Sequence, residues 1–102
     1  MEFNREQIEK NFRERIKGLS SVFGPSGFEE EVAELIKQNL ADSDFKYSTD
    51  VLGNLIYHRK GTGDKKILIA AHMDEIGLII RHIDSKGFIW VDTLGGFAPQ
   101  QF

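Results

Sequence analysis

His72-Met73-Asp74-Glu75 follows directly on the apolar run Ile67-Leu68-Ile69-Ala70-Ala71, and residues of these types at this spacing are suited to metal chemistry. In extended backbone, residues i and i+2 point to the same side. Asp74 is therefore placed to accept the His72 ring N–H that a metal does not use, which would fix the tautomer. His72 is thus the candidate metal ligand, and Asp74 the carboxylate that orients it. The pattern alone favours a plainer reading, in which His72 is an ordinary hydrogen-bonded histidine and Asp74-Glu75 are solvated turn carboxylates. The surrounding residues reverse that judgement.

The elements that must position this pair are legible from periodicity. Ile8, Phe12, Ile16, Leu19 and Val22 recur at spacings of three and four, which predicts a helix from about Arg5 to Val22 with one apolar stripe. Gly24-Pro25-Ser26-Gly27 ends it, and Ser26 with Glu29 three residues on reads as a capping box for a second helix. The buried stripe of that helix would be Phe28, Val32, Leu35, Ile36 and Leu40. The period then changes to two, so Phe45-Lys46-Tyr47 and Leu55 to His58 read as a hairpin joined through Asp50-Val51-Leu52-Gly53-Asn54. Ile67 to Ala71 is uniformly apolar, as a central strand covered on both faces would be. Gly77 to Ile83 and Phe88 to Val91 read as a second hairpin across Asp84-Ser85-Lys86-Gly87.

Composition narrows the partners. With 102 residues, 28% charged and 40% hydrophobic, the chain has the make-up of a soluble globular protein. A net charge of -3 offers no basic surface, so neither nucleic acid nor a membrane is an expected partner. Cysteine is absent, which confines any metal site to His, Asp and Glu. The mixed-charge start from Met1 to Glu6 has no secretory apolar region, which predicts a chain that is not exported, and the lack of cysteine is compatible with a reducing, cytoplasmic setting.

Four segments, in order, carry a family likeness: Gly24-Pro25-Ser26-Gly27-Phe28-Glu29, Asp50-Val51-Leu52-Gly53-Asn54-Leu55, Ala70-Ala71-His72-Met73-Asp74-Glu75-Ile76-Gly77, and Gly87-Phe88 leading to Leu94-Gly95-Gly96. Together they resemble the M42 metallo-aminopeptidases, the glutamyl-aminopeptidase and "cellulase M"-like proteins. The third segment is the most specific, since related peptidase families share His-x-Asp without the Glu-Ile-Gly. Gly96-Phe97-Ala98-Pro99 departs mildly from the family, in which a polar or acidic residue often stands at the alanine position.

The resemblance implies a cytoplasmic enzyme with a pair of divalent ions, zinc or cobalt, that removes residues from peptide N-termini and assembles into homo-oligomers. It implies an α/β fold. Residues 1–75 would be the N-terminal part of a layered catalytic domain. Residues 76–102 would begin an inserted β-rich dimerisation domain with its first hairpin. Mapped onto this sequence, His72 would bind one ion and Asp74 would orient it. The family's bridging aspartate, glutamate pair, further acidic ligand and second histidine would lie beyond Phe102, so these residues alone are expected to be inactive.

Other candidates carry less. His58 beside Arg59 and Lys60, and His82 beside Arg81, suit surface or hydrogen-bonded roles. Asp50 suits a turn cap, the acidic run Glu29-Glu30-Glu31 suits the positive end of a helix, and Trp90 suits packing. Phe97 and Phe102, with the edges of an unfinished sheet, suit association with another chain. Two alternatives to the aminopeptidase reading remain at this point. One is a non-catalytic chain that associates with a full-length relative. The other is an endoglucanase, for which no acid pair at glycosidase spacing is recognisable.

Overall fold

The computed structural model describes residues 4–98; Pro99 and Phe102, singled out above, lie outside the described residues. The order is α1 (Arg5–Leu19), α2 (Glu30–Asn39), β1 (Lys46–Thr49), β2 (Leu55–His58), β3 (Gly77–Ile83) and β4 (Ile89–Leu94). The mixed α/β class expected from the sequence is thus present. The strands form two antiparallel pairs, β1 with β2 and β3 with β4.

Asn4 caps α1 by accepting from the Gln7 amide at 3.2 Å, and the helix ends three residues short of the predicted Val22. Its apolar stripe is present but uncovered: no residue of α1 is buried, and Phe12 is 63% exposed. On α2, Val32 is buried and Leu35 and Ile36 are half-buried; of the predicted stripe, Leu40 is the half-buried C-cap and Phe28 lies exposed before the helix. The two helices meet near Gly18 and Leu35.

The expected capping box does not form. Glu29 occupies the N-cap of α2 without a side-chain bond to the helix, and its Oε1 instead accepts from the Gly27 amide at 2.7 Å. Ser26 is turned away from the helix towards Asp74. Gly27, which would be the first helical residue after a cap at Ser26, takes φ +88°, so the helix starts later and the Ser26 hydroxyl donates to the Asp74 carboxylate instead.

Both hairpins close by the same device. Asp50 Oδ1 accepts from the amides of Leu52 and Asn54, each at 2.9 Å, and its Oδ2 accepts from Asn54 Nδ2 at 2.8 Å. Asp84 Oδ1 accepts from the amides of Lys86 and Phe88 at 2.9 and 3.0 Å. Three residues after each aspartate, Gly53 and Gly87 take φ of +84° and +86°, a conformation that favours glycine. Asp-x-x-Gly-x is therefore the turn chemistry of both loops. Between β3 and β4 the register slips between Ile80 and His82, leaving Arg81 as the extra residue of a bulge.

The predicted central strand is absent. Residues 67–71 form no strand, and Ile67, Leu68 and Ile69 are each about nine-tenths exposed (90%, 91% and 89%). A strand needs a neighbour to satisfy its backbone N–H and C=O groups, and among the described residues none pairs with this run. The same shortage of partners marks the described residues as a whole. Gly24, Pro25 and Val32 are the buried residues among those described, and the radius of gyration is 18.7 Å, against about 13 Å for a compact domain of this length. No helix among the described residues is long and apolar enough to cross a membrane.

Candidate metal-ligand site

The site is built where the loop between α1 and α2 docks on the segment before β3. The Glu75 amide donates to the Gly24 carbonyl at 2.9 Å, and the Gly24 amide donates back to Glu75 Oε1 at 3.4 Å. Pro25 and Glu75 form a parallel bridge. Gly24 and Pro25 are buried, and the approach leaves no room for side chains at the two flanking glycines. A Cβ on Gly24 would lie 2.3 Å from Val32 Cγ2, and one on Gly77 would lie 2.7 Å from Pro25 Cβ. Gly95 closes the other side, its position 3.8 Å from Ser26 Oγ when a Cβ is placed on it.

Three of the four motif segments noted in the sequence therefore converge. The fourth, around Asp50, forms the β1–β2 turn. The convergence of Gly24-Pro25-Ser26-Gly27 with His72 to Gly77 is the structural fact that periodicity did not reveal.

Within this junction His72 Nδ1 lies 3.1 Å from Asp74 Oδ1 and 2.9 Å from the Asp74 carbonyl oxygen. Both partners are acceptors, so Nδ1 carries the proton, and the lone pair of the neutral ring is on Nε2. The His72 side chain is 85% exposed, whereas that of Asp74 is 37% exposed. The imidazole is thus held at one nitrogen and open to its surroundings. Asp74 Oδ2 accepts from the Ser26 hydroxyl. That bond, ahead of the His72 ring, holds the Asp74 carboxyl below its ordinary value against the opposing effect of desolvation.

Such a ring fits the part of one metal ligand with its orienting carboxylate. A catalytic ion needs about three protein ligands, and the described residues contain no group of three or more His, Cys, Asp or Glu that could hold one. His58 ends β2, and His82 sits opposite Trp90 in the β3–β4 ladder; neither joins His72. The remaining donors of any ion at this position would come from outside the described residues. Ser26 and Glu75, read from the sequence as a helix cap and a turn carboxylate, belong to the site instead. Their Gly-Pro-Ser-Gly and Glu-Ile-Gly surroundings were visible, but nothing in a linear pattern pairs positions 48 to 51 residues apart.

The chain is similar to known aminopeptidases. The family model described as M42 glutamyl aminopeptidase matches residues 53–102. A lysyl aminopeptidase of Pyrococcus furiosus is 39% identical over 85% of this chain and 25% of its own length. A glutamyl aminopeptidase of Lactococcus lactis is 31% identical over 84% of this chain and 25% of its own. The crystal structure of a TET aminopeptidase from a marine sediment archaeon of the Thaumarchaeota superposes with a TM-score of 0.79 and 36% identity, covering 90% of this chain and 26% of that one. The chain spans about a quarter of the length of these relatives.

Proposed function

The chain belongs to the M42 glutamyl aminopeptidase family, and from that premise we propose that it serves the metal-dependent removal of N-terminal residues from peptides. In this reading His72 binds one of a pair of divalent ions, zinc or cobalt, through Nε2, and Asp74 orients the ring. The observation that carries it is the single-tautomer geometry at His72, with Nδ1 engaged by Asp74 and Nε2 free to bind. When bound, the ions polarise the scissile carbonyl and lower the pKa of a bound water. The chain's own part is to hold one imidazole in a fixed orientation and tautomer, so that no reorganisation is needed on binding.

Residues 1–75 form the N-terminal part of a layered catalytic domain, in which residues 67–71 become a central strand once neighbours flank them. Residues 76–102 begin an inserted β-rich dimerisation domain, of which β3 and β4 are the first hairpin. Peptides are the substrates, the complete enzyme is a homo-oligomer, and a chain without cysteine suits the reducing cytoplasm.

The experiment is a graft. Residues 4–98 replace the matching segment of a full-length relative, and hydrolysis of aminoacyl-nitroanilides is followed with and without divalent metal. The graft is expected to turn over, and His72→Ala to lower kcat/KM by more than about 100-fold, since partners of metal ligands alone are worth roughly 10- to 100-fold. A graft that keeps full activity without His72 would remove the assignment. The isolated chain is expected to show no turnover.

A second reading, association of this chain with a complete relative, is favoured by the exposed apolar residues of α1, β3 and the 67–69 run. Co-elution with a full-length paralogue on size exclusion tests it, and separate elution at every ratio would dismiss it.

A further inference from the structure

Resting on the assignment of His72 as a ligand, we infer that Ser26 is a positioning residue of the site, the third member of a hydrogen-bond chain that runs from the α1–α2 loop through Asp74 to the His72 ring. The carboxylate of Asp74 has two oxygens, and the structure gives each one a donor: Ser26 Oγ on Oδ2 and His72 Nδ1 on Oδ1. Without Ser26, Oδ2 would be free to rotate into the place of Oδ1 or turn to water, and the carboxylate plane that aims the imidazole would lose its anchor. A carboxylate held by one bond still pivots; held by two opposed bonds, it does not.

Ser26 is itself fixed by backbone rather than by its own helix. The Glu75 amide bonded to the Gly24 carbonyl, the Gly24 amide on Glu75 Oε1, and the Phe28 amide donating to the Pro25 carbonyl at 2.8 Å together hold the loop on both sides of Ser26. Glu75 thus clips down the loop whose serine reaches back to its neighbour Asp74. Gly95, with φ +82° and next to Ser26 Oγ and Ile76, packs over the same point. With Glu29 at the N-cap of α2 and Gly27 at φ +88°, Ser26 is free of the helix, and its hydroxyl donates to an ionised acceptor, a bond roughly twice as strong as a neutral one.

The test uses the graft of residues 4–98 into a full-length relative, labelled with 15N in its histidines, at neutral pH, first stripped of metal and then titrated with Zn²⁺ alone. In the wild type the His72 ring is expected to give the separated Nδ1 and Nε2 signals of one Nδ1–H tautomer, while His58 and His82 give averaged signals. Ser26→Ala is expected to bring the His72 signals part of the way towards the average, since the Asp74 carbonyl at 2.9 Å still accepts from Nδ1, and Ser26→Thr, which keeps the hydroxyl, to restore them. Unchanged β3–β4 amide shifts in all three chains show that the effect is local. Zn²⁺ is expected to move Nε2 of His72, with affinity lower by up to roughly tenfold in Ser26→Ala.

Averaged His72 signals in the wild type, or a Ser26→Ala ring indistinguishable from wild type, would overturn the inference. The Zn²⁺ arm separates it from the reading on which it rests. Zn²⁺ shifting Nε2 equally in wild type and Ser26→Ala leaves His72 a ligand and removes Ser26. A Ser26-dependent tautomer that Zn²⁺ never perturbs keeps the positioning chain and removes the metal.

Discussion

At the scale of single residues, the junction is set by the absence of side chains as much as by their presence. Gly24 packs so closely on Val32 that Gly24→Ala would bring a methyl to 2.3 Å of Val32 Cγ2, which either the loop or α2 must relieve at a cost of about 1–3 kcal/mol. The Glu75 amide, bonded to the Gly24 carbonyl, is the local reporter. Its hydrogen exchange is expected to quicken by roughly 10- to 100-fold in the variant, and unchanged protection would show that the loop is not held by this contact. His72 and Asp74 were legible at this scale because their contact is local, two residues along the chain. Ser26 was not, since its hydroxyl could cap a helix or meet a carboxylate, and only the fold brings Asp74 within reach.

At the scale of elements, the two hairpins show which local signals suffice. Asp-x-x-Gly-x carries its own side-chain acceptor and its own left-handed glycine, so each turn is specified within five residues, and both were readable. Asp50 also supplies a pH dependence. Its bonds to Asn54 and the Leu52 amide lower its carboxyl from the ordinary 3.8. A carboxyl depressed in the folded state contributes stability that is present above its unfolded value and lost as pH falls through the lower folded one. Cross-strand nuclear Overhauser contacts between Tyr47 and Tyr57, directly opposed in the β1–β2 register, are therefore expected to persist at neutral pH and fade below about pH 4. In Asp50→Asn they are expected to be weaker throughout and insensitive to pH over that range. A hairpin in the variant that melts with acid as the wild type does would assign the effect to another group. The stretch 67–71 marks where local signals stop. Its apolar run names a strand covered on both faces, but a strand exists only through neighbours, and none is among the described residues.

At the scale of the whole molecule, an extended chain with exposed faces on both helices and both hairpins is one that wants a surface to cover it. Ile67 and Ile69 would share one side of the run once it pairs as a strand, and both are about nine-tenths exposed. The double change Ile67→Lys and Ile69→Lys is expected to reduce association of the isolated chain, read by light scattering after size exclusion, because charge on an exposed edge opposes pairing. In the graft the same change is expected to abolish folding or turnover, because there the run is covered. A graft that tolerates both lysines would show that the run stays outside the sheet.

The central claim is that one imidazole, presented by residues 72–75 and steadied from the α1–α2 loop, is a ligand to a divalent ion. The most direct measurement is a crystal structure of the graft grown with Zn²⁺ and phased on the anomalous signal of the metal. The account predicts an ion about 2.0–2.1 Å from His72 Nε2, with Nδ1 still on Asp74. An ion bound through other residues, with the His72 ring turned away from it, would contradict the account.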